Sequence, residues 1–182
     1  IYKFAIDSQF TQLRESLKVI AQTAASIIDA DMIVGIPLNQ SGIDTPQYQT
    51  ISGQLRALKQ KNPSIHYIYI MTSTEKQGIW QFVVDPDPLL KRKIGITAFP
   101  GDRYDASRFP EMMKAFTVAA ADTKIEADEW GVTLSAYAPI SDKSGKAIAV
   151  LGVDMLASDV YLAQRQVRLR ALFVLILGII LS

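Results

Sequence analysis

The sequence contains no cysteine and only one histidine, His66. The absence of cysteine excludes disulfide bonds, thiolate metal sites and cysteine nucleophiles. The single histidine excludes metal or catalytic sites that need two imidazoles. Lysine and arginine total 19 against 18 aspartates and glutamates, which gives a formal net charge of +1. The chain therefore lacks the basic surplus that is typical of nucleic-acid binding.

The sequence also lacks the short motifs of the common enzyme classes. It has no P-loop, no Gly-x-Ser-x-Gly, no His-Glu-x-x-His and no Gly-x-Gly-x-x-Gly pattern. His66 lies in a β-rich run, so we expect a strand residue near the surface rather than a member of a catalytic triad. We therefore predict a chain with no catalytic residues, no cofactor and no metal ligands of its own.

The hydrophobic fraction of 49% is high for a soluble domain, and the surplus lies at the end of the chain. Residues 171–181 are unbroken apolar sequence, shorter than the ~20 residues of a full span. We interpret them as the outer part of a truncated transmembrane segment, entered from an exit helix over 158–182; a buried core helix is the alternative. Arg165, Arg168 and Arg170 precede the apolar run and favour the reversed topology, but large domains translocate largely regardless of charge.

The first part of the chain predicts two helices. One apolar seam indicates a long helix within residues 1–34 that packs on the domain or on its own copy in a parallel homodimer; its members are Ile6, Phe10, Leu13, Leu17, Ile20, Ala24 and Ile27. Thr45 as N-cap and Pro46 at the first helical position open a second helix, which ends at Asn62.

Four runs predict strands that pair as two hairpins. Residues 65–71 place Tyr67 and Tyr69 on one face, and residues 79–85 follow after a polar turn. Residues 132–140 alternate with period two, so we expect a half-buried strand, whereas residues 147–155 are apolar on both faces and predict a central strand. Gly145 in the turn between them is expected at a positive φ. A short helix over 110–121, buried through Met113 and Phe116, and the irregular residues 89–105 are expected to cap the sheet. The fold class is therefore α+β, with an antiparallel sheet of about five strands.

Hydroxyl, aromatic and carboxylate side chains converge on the predicted capped face. An apolar floor with such groups suits a small polar metabolite. Three alternatives remain open: the tyrosines as core rings, Asp85 as a turn residue, and Asp154 as a carboxylate held by structural bonds at a strand end. Trp130 is interpreted as a core residue. The candidate ligand-binding residues are Tyr67, Tyr69, Asp85, Tyr104, Ser135, Tyr137 and Asp154.

The predicted cap is acidic. Carboxylates could bind calcium, but no Asp-x-Asp-x-Asp-Gly loop occurs, so we interpret these residues as a solvated surface. They are Asp102, Asp105, Asp122, Glu126, Asp128 and Glu129.

Seven short motifs occur in an order that resembles the Cache-type extracytoplasmic sensor domains, the PAS-like sensors of prokaryotic membrane receptors. The motifs are Asn62-Pro63-x-Ile65-x-Tyr67-Ile68-Tyr69, Phe82-Val83-Val84-Asp85, Gly101-x-x-Tyr104, Asp128-x-Trp130-Gly131, Leu134-Ser135-x-Tyr137-Ala138-Pro139-Ile140, Asp142-x-x-Gly145 and Leu151-Gly152-Val153-Asp154.

The resemblance implies a PAS-like sheet with the long N-terminal helix on one face and capping loops plus a short helix on the other. It also implies a membrane helix before Ile1 and a cytoplasmic output module, such as a histidine kinase, a cyclase, a phosphatase or a chemoreceptor rod. The Arg-x-Trp-Tyr element of the amino-acid-binding members has no match in residues 101–105, which argues against an amino-acid ligand.

The sequence therefore predicts a sensor domain, residues 1–157, that lies outside the cytoplasm and belongs to a membrane receptor, most simply a sensor histidine kinase. It would bind an unidentified small polar metabolite, contact the membrane through its C-terminal helix, and pair as a parallel homodimer. The alternative is a ligandless structural or protein-contact domain that sets receptor dimer geometry.

Overall fold

The computed structural model describes residues 2–88 and 97–180, with the side chains of 2–5, 171 and 174–180 left out. Helix α1 spans Tyr2–Ser26, α2 Ala30–Val34 and α3 Pro46–Lys61. After the strands β1 (Tyr67–Ser73), β2 (Ile79–Val84) and β3 (Arg103–Asp105) comes the short helix α4, Pro110–Lys114. The strands β4 (Ala120–Ala121), β5 (Glu126–Ala127), β6 (Val132–Ser141) and β7 (Ala147–Leu156) follow, and α5 spans Ala157–Ile180.

The long N-terminal helix is shorter than predicted, because it ends at Ser26 and not near residue 34. The Asp29 side chain accepts a hydrogen bond from the Asp31 amide and starts the separate helix α2. The break also changes the buried face at this end of α1: Ile28 is buried, whereas Ile27, which the seam placed inside, is 51% exposed.

Helix α3 begins and ends as the sequence predicts. The Thr45 side chain accepts from the Tyr48 amide, Pro46 occupies the first helical position, and Lys59 and Lys61 lie in the last turn. Tyr48, Ile51 and Leu55 are buried on the face that meets β1 and β2.

Within the described residues, seven strands form one antiparallel sheet in the order β3-β2-β1-β7-β6-β4, with β5 also paired to β6. The four long strands are the predicted ones, and β7 lies between β1 and β6 as its two apolar faces require. The three short strands, of two or three residues each, explain why the sheet exceeds the predicted count of about five: such segments leave no periodic pattern in the sequence.

The sheet has a core on each face. Helices α1 and α3 pack on one face, over residues such as Ile68, Leu134 and Leu151. The other face is covered by α4 and the connections around it, and Trp80, Phe109 and other rings pack in this second core. This arrangement confirms the predicted α+β, PAS-like fold class. Strand β6 is buried on both faces and is not half-buried, since Ser135 and Tyr137 lie under the cap.

Helix α4 is shorter than predicted and uses a different buried face. It spans only five residues, and Met112 and Ala115 are fully buried, whereas Met113 and Phe116 are only partly buried. The predicted irregular cap falls partly on residues 89–96, which lie outside the described residues.

Helix α5 continues from β7 without a break, as predicted for the exit helix. In the part of the chain that the structure describes, no helix is long and apolar enough to cross a membrane. Much of the apolar run, at 171 and from 174 onward, falls on side chains that are not described.

Candidate functional site

Asp154 lies at the centre of the capped face, in a row of side chains that crosses three strands. In the sheet register, Tyr67 of β1 and Ser135 of β6 stand opposite Asp154 of β7 on its two sides. Asp154 is only 7% exposed, and its Oδ1 accepts a hydrogen bond of 3.2 Å from the Tyr69 hydroxyl. The pairing of β7 with β1 and β6 therefore places the Asp154 carboxyl group beside the hydroxyl groups of the neighbouring strands.

The adjacent row places a glycine between two tyrosines. Gly152 of β7 stands opposite Tyr69 of β1 and Tyr137 of β6. A Cβ at Gly152 would lie 2.4 Å from Cε2 and 2.5 Å from Cζ of Tyr69. The Tyr69 ring thus lies on the bare backbone of Gly152, which brings its hydroxyl within reach of Asp154.

Asp128 contributes a second carboxylate from the turn between β5 and β6. Its Oδ1 accepts from the backbone amides of Trp130 (2.7 Å) and Gly131 (3.1 Å), and Gly131 has a φ of 144° in this turn. The other oxygen accepts a 2.5 Å hydrogen bond from the Tyr104 hydroxyl of β3. Asp128 therefore joins the Trp130 turn to the opposite edge of the cap.

Asp122, just after β4, is a third carboxylate and is 3% exposed. Its Oδ2 accepts from the Ser135 amide at 3.2 Å. From the other face of the sheet, Arg14 of α1 donates to the backbone carbonyls of Asp122 (2.5 Å) and Ala121 (3.0 Å). Helix α1 is therefore hydrogen-bonded to the segment that carries Asp122.

Burial and neighbouring negative charges raise the pKa of two of these carboxyls. Burial is the main cause that raises the pKa of Asp154 to about 8; the negative charges of Asp128 and Asp122 add to it, while hydrogen bonds from Ser135 and Tyr69 oppose it. Burial, together with Glu126 and Glu111, likewise raises the pKa of Asp122 to about 7 against the Ser135 hydrogen bonds.

The tyrosines remain protonated over the same pH range. Burial, followed by the charge of a nearby aspartate, raises the pKa of Tyr69, Tyr104 and Tyr137 well above the usual value of a phenol. The Tyr69 and Tyr104 hydroxyls are therefore neutral donors, to Asp154 and Asp128 respectively.

Two adjoining cavities lie among these residues. We call the first the aromatic cavity; it has a volume of about 20 Å³ and is lined by Tyr67, Tyr69, Met71, Phe82, Asp85, Tyr104, Asp128, Trp130 and Asp154. The polar cavity, of about 10 Å³, is lined by Tyr69, Tyr104, Phe109, Asp122, Glu126, Asp128, Thr133, Ser135, Tyr137 and Asp154. Each has room for about one water molecule, so a larger ligand requires the site to open.

All seven candidate residues from the sequence line these cavities. Other lining residues were not predicted as part of a site. Trp130, interpreted as core, is only partly buried and lines the aromatic cavity. The interpretation of the acidic cap as a solvated surface is wrong for Asp122, which is buried against β6. The Asp-x-Trp-Gly motif at 128–131 was the available signal for Asp128 and Trp130.

The charged residues among the described lining are all acidic. Within the described part of the chain, the two cavities are lined by five carboxyl side chains, those of Asp85, Asp122, Glu126, Asp128 and Asp154, and by no lysine, arginine or histidine. Asp122, Asp128 and Asp154 take part in no ion pair between described residues. The same residues include no cluster of ligands able to hold a metal ion.

Asp85 reaches the aromatic cavity from the end of β2, where its backbone is tied to helix α3. The buried Tyr48 hydroxyl donates a 2.5 Å hydrogen bond to the Asp85 carbonyl, and the Asp85 carboxylate accepts from the Asp87 amide. Asp85 is therefore both a turn residue, which was one of the alternatives from the sequence, and a residue of the cavity lining.

We expect Tyr48→Phe to lower the free energy of unfolding by about 1 kcal/mol, because one buried hydrogen bond is removed while the ring stays in place. Urea denaturation would measure the loss. Thr50→Val on the same helix is the control, since its hydroxyl bonds only to its own helix, at the Pro46 carbonyl. A Tyr48→Phe protein as stable as the parent would contradict this role.

No protein-family model and no curated protein matches the sequence. Solved structures do match. The ligand-binding domain of the Campylobacter jejuni chemoreceptor Tlp3, in complex with L-valine, has a TM-score of 0.57 at 15% identity, over 90% of this chain and 60% of that one. The Escherichia coli DcuS sensor domain gives 0.54 at 16% identity, over 86% and 97%. The periplasmic domain of Vibrio cholerae LuxQ gives 0.50 at 9%, over 91% and 69%.

The chain therefore has the fold of Cache-type, PAS-like sensor domains, as the sequence resemblance implied. It spans about 60% of the Tlp3 domain but nearly the whole length of the DcuS sensor domain, of which it covers 97%.

Proposed function

We propose that this chain is the small-molecule-sensing domain of a membrane signalling receptor and lies outside the cytoplasm. The observation that carries the proposal is the convergence of Asp122, Asp128 and Asp154 with tyrosine hydroxyls around a concave site. Three close aspartates that form no ion pair with another described residue, two of them buried, cost stability when they are ionised. Such a cost is typical of functional sites rather than of structural cores.

The structural neighbours support a sensing role. By their names they are a chemoreceptor ligand-binding domain in complex with L-valine and a sensor domain. We propose that the output module of this receptor is a cytoplasmic histidine kinase, that the chain pairs as a parallel homodimer through α1, and that it performs no catalysis itself.

The proposed signal leaves the site through the two long helices. Asp154 lies three residues before α5 begins at Ala157, and Arg14 attaches α1 to the Asp122 segment. A ligand that binds one arrangement of this face better than another shifts the equilibrium between them. The result is a small displacement of α5 against α1, which it contacts.

A thermal-shift screen of the purified chain against carboxylates, sugars, amines, nucleosides and divalent ions tests the proposal. A ligand at a hundred times its dissociation constant stabilises the fold by ~2.7 kcal/mol, which raises Tm by about 5–11 °C for this size. We expect Asp154→Ala to abolish that shift while the circular dichroism spectrum stays unchanged. An unaltered dose response in Asp154→Ala would refute the assignment of the site.

A ligandless protein-contact domain is the second candidate. Two observations favour it: each cavity has room for only about one water molecule, and apolar side chains such as Val19 and Leu162 are exposed on α1 and α5. This candidate predicts a flat ligand screen together with a dimer whose geometry no small molecule changes.

A further inference from the structure

We propose that a groove beside the C-terminal half of α3, outside the capped face, binds a small organic carboxylate. We call it the α3 groove; its described lining consists of Arg56, Lys59, Gln60, Pro63, Ile65 and Asp87. It shares no described lining residue with the aromatic cavity or the polar cavity. The site is therefore additional to the proposed sensing site and does not depend on Asp154.

The size of the α3 groove suits a small molecule without any opening of the fold. Its volume is about 430 Å³, whereas the two capped cavities measure about 20 and 10 Å³. Binding sites for small molecules measure roughly 300–1,000 Å³ and are usually largely pre-formed. The α3 groove is therefore able to admit a molecule of several carbon atoms, which neither capped cavity can hold as it stands.

Two basic side chains line the groove from neighbouring turns of α3. Nη2 of Arg56 donates a 2.9 Å hydrogen bond to the Pro86 carbonyl, and Nζ of Lys59 lies 3.3 Å from Oδ2 of Asp87. These are the only hydrogen bonds or ion pairs that join Arg56 or Lys59 side chains to other described residues. A guanidinium has five N–H donors and an ammonium has three, so most of the donors are available. Such donors match the two oxygens of a carboxylate, which arginine binds in a bidentate manner.

The floor of the α3 groove is apolar. Ile65, just before β1, is 3% exposed, and Pro63 lines the groove beside it. The alkyl group of a ligand can lie on these side chains and lose contact with water, which contributes to binding. Because the described lining carries two positive side chains and one negative, it attracts an anion and repels a cation. The class of ligand that fits is a carboxylate with a short apolar group.

Asp87 is the internal competitor of this ligand. Its carboxylate is paired with Lys59, but both side chains are 29% exposed, and ion pairs at such positions contribute little free energy. A ligand carboxylate can therefore replace Asp87 at Lys59 at small cost. The amide of Asp87 also donates to the Asp85 carboxylate, which lines the aromatic cavity. The α3 groove and the capped site thus lie on two sides of one turn.

A matched set of probes tests the proposal. Isovalerate, isovaleramide and isobutylamine share a branched alkyl group and carry a carboxylate, a neutral amide and a cation. An NMR titration of the full chain at constant ionic strength follows the backbone amides of Gln60 and Ile65 in the groove lining. We expect isovalerate to bind at least about tenfold more tightly than isovaleramide, because charge-assisted hydrogen bonds are the stronger ones, and isobutylamine not to bind. Equal binding of isovaleramide, or no shift of either amide with about 50 mM isovalerate, would overturn the proposal.

Substitutions of arginine locate the binding. Arg56→Gln removes the guanidinium, so the affinity for isovalerate is expected to fall at least about fivefold. Arg56→Lys keeps the charge but loses the bidentate geometry and is expected to fall between Arg56→Gln and the parent. Arg103→Gln is the control, because Arg103 is exposed in β3 and lies outside the described groove lining; its affinity is expected to match that of the parent. Equal losses in Arg56→Gln and Arg103→Gln would mean that only the overall charge attracts the anion, which overturns the proposal.

Asp87→Asn is expected to act in the opposite direction. The substitution removes the carboxylate that competes for Lys59, so the affinity for isovalerate is expected to rise about twofold to fivefold. This result does not depend on how Arg56→Gln folds without its hydrogen bond to the Pro86 carbonyl, because the Asp87 side chain bonds only to Lys59 among the described residues. An affinity that does not rise in Asp87→Asn would show that the ligand carboxylate does not meet Lys59, and would overturn the proposal.

Asp154→Ala separates the α3 groove from the proposed sensing site. Because Asp154 lines only the capped cavities, we expect this variant to bind isovalerate as the parent does. A carboxylate response that persists in Asp154→Ala and is lost in Arg56→Gln belongs to the α3 groove and leaves the proposed function to be judged on the other ligands. The reverse pattern, loss in Asp154→Ala and retention in Arg56→Gln, would place the carboxylate in the capped site. That result overturns the present proposal and supports the proposed function.

Discussion

Gly152→Ala is expected to destabilise the protein by about 1–3 kcal/mol, which lowers Tm by roughly 2–12 °C. The new Cβ would lie 2.4 Å from Cε2 of Tyr69, a separation that side chains do not adopt. The ring therefore has to leave its place on the β7 backbone. Its hydroxyl then loses the 3.2 Å hydrogen bond to Asp154, so we expect ligand binding to be lost as well. Thermal denaturation measures the first effect, and the thermal-shift response to the ligand found in the screen measures the second.

A double-mutant cycle isolates the cause. In a Tyr69→Ala background the alanine at 152 has no ring to displace, so the second substitution should cost less than about 0.5 kcal/mol. Gly53→Ala is the matched control. Gly53 is exposed in α3, and an added Cβ meets nothing within 4 Å, so its replacement should stabilise the helix by up to about 1 kcal/mol. Additive effects of the substitutions at 152 and 69 would show that the close approach is not the source of the cost.

The sequence predicted the parts of the site that follow strand periodicity. Alternation placed Tyr67 with Tyr69 and Ser135 with Tyr137 on one face, and the apolar run of β7 made Asp154 conspicuous. Each of these inferences needs only the period of a strand and the cost of a buried charge.

The contacts that depend on strand partners and on turns could not be predicted. The importance of Gly152 follows from the ring opposite it, which is known only when the register of β1 and β7 is known. Asp122 and Asp128 lie next to two-residue strands, where composition alone suggested a solvated surface. The end of α1 at Ser26 was missed for a related reason: the apolar seam continues past it, and only the Asp29 cap marks the break.

The stability of the chain should fall as pH rises from about 4 to 8, owing to Asp154. An unfolded aspartate has a pKa of about 3.9, whereas burial raises the folded pKa of Asp154 to about 8. Between these values the folded state binds one proton more than the unfolded state. The free energy of unfolding therefore decreases with pH, by at most about 1.4 kcal/mol per unit for one group. Below pH 4 the contribution is fully present, and above 8 it is lost.

Asp154→Asn is expected to remove this dependence, since the amide needs no proton to remain neutral. The variant should match the parent near pH 4 and exceed it at pH 8. If about 2 kcal/mol is recovered there, the gain in Tm is about 4–8 °C. Urea denaturation from pH 4 to 9 gives the full curve, and the residual slope reports Asp122, whose pKa burial raises to about 7.

Asp142→Asn is a control in which the pKa shift, and therefore the effect of pH on stability, has the opposite sign. Asp142 lies in the exposed β6–β7 turn, where the hydrogen bond from the Ser144 side chain lowers its pKa. Its contribution to stability is present at neutral pH and is lost as pH falls through the folded pKa, so Asp142→Asn should be less stable than the parent at pH 7.

The Asp154 prediction would be contradicted if the free energy of unfolding of the parent protein did not change between pH 4 and 8. That result would mean that Asp154 is ionised in the free protein.

The two properties of Asp154 belong together. A buried carboxyl group that costs stability when it is ionised is typical of a functional site, where the same group can contact a ligand. Asp154→Asn should consequently give a domain that is more stable at pH 8 and no longer responds to the ligand found in the thermal-shift screen. A variant that gained stability and kept its affinity for that ligand would show that the ligand does not recognise the Asp154 carboxyl group.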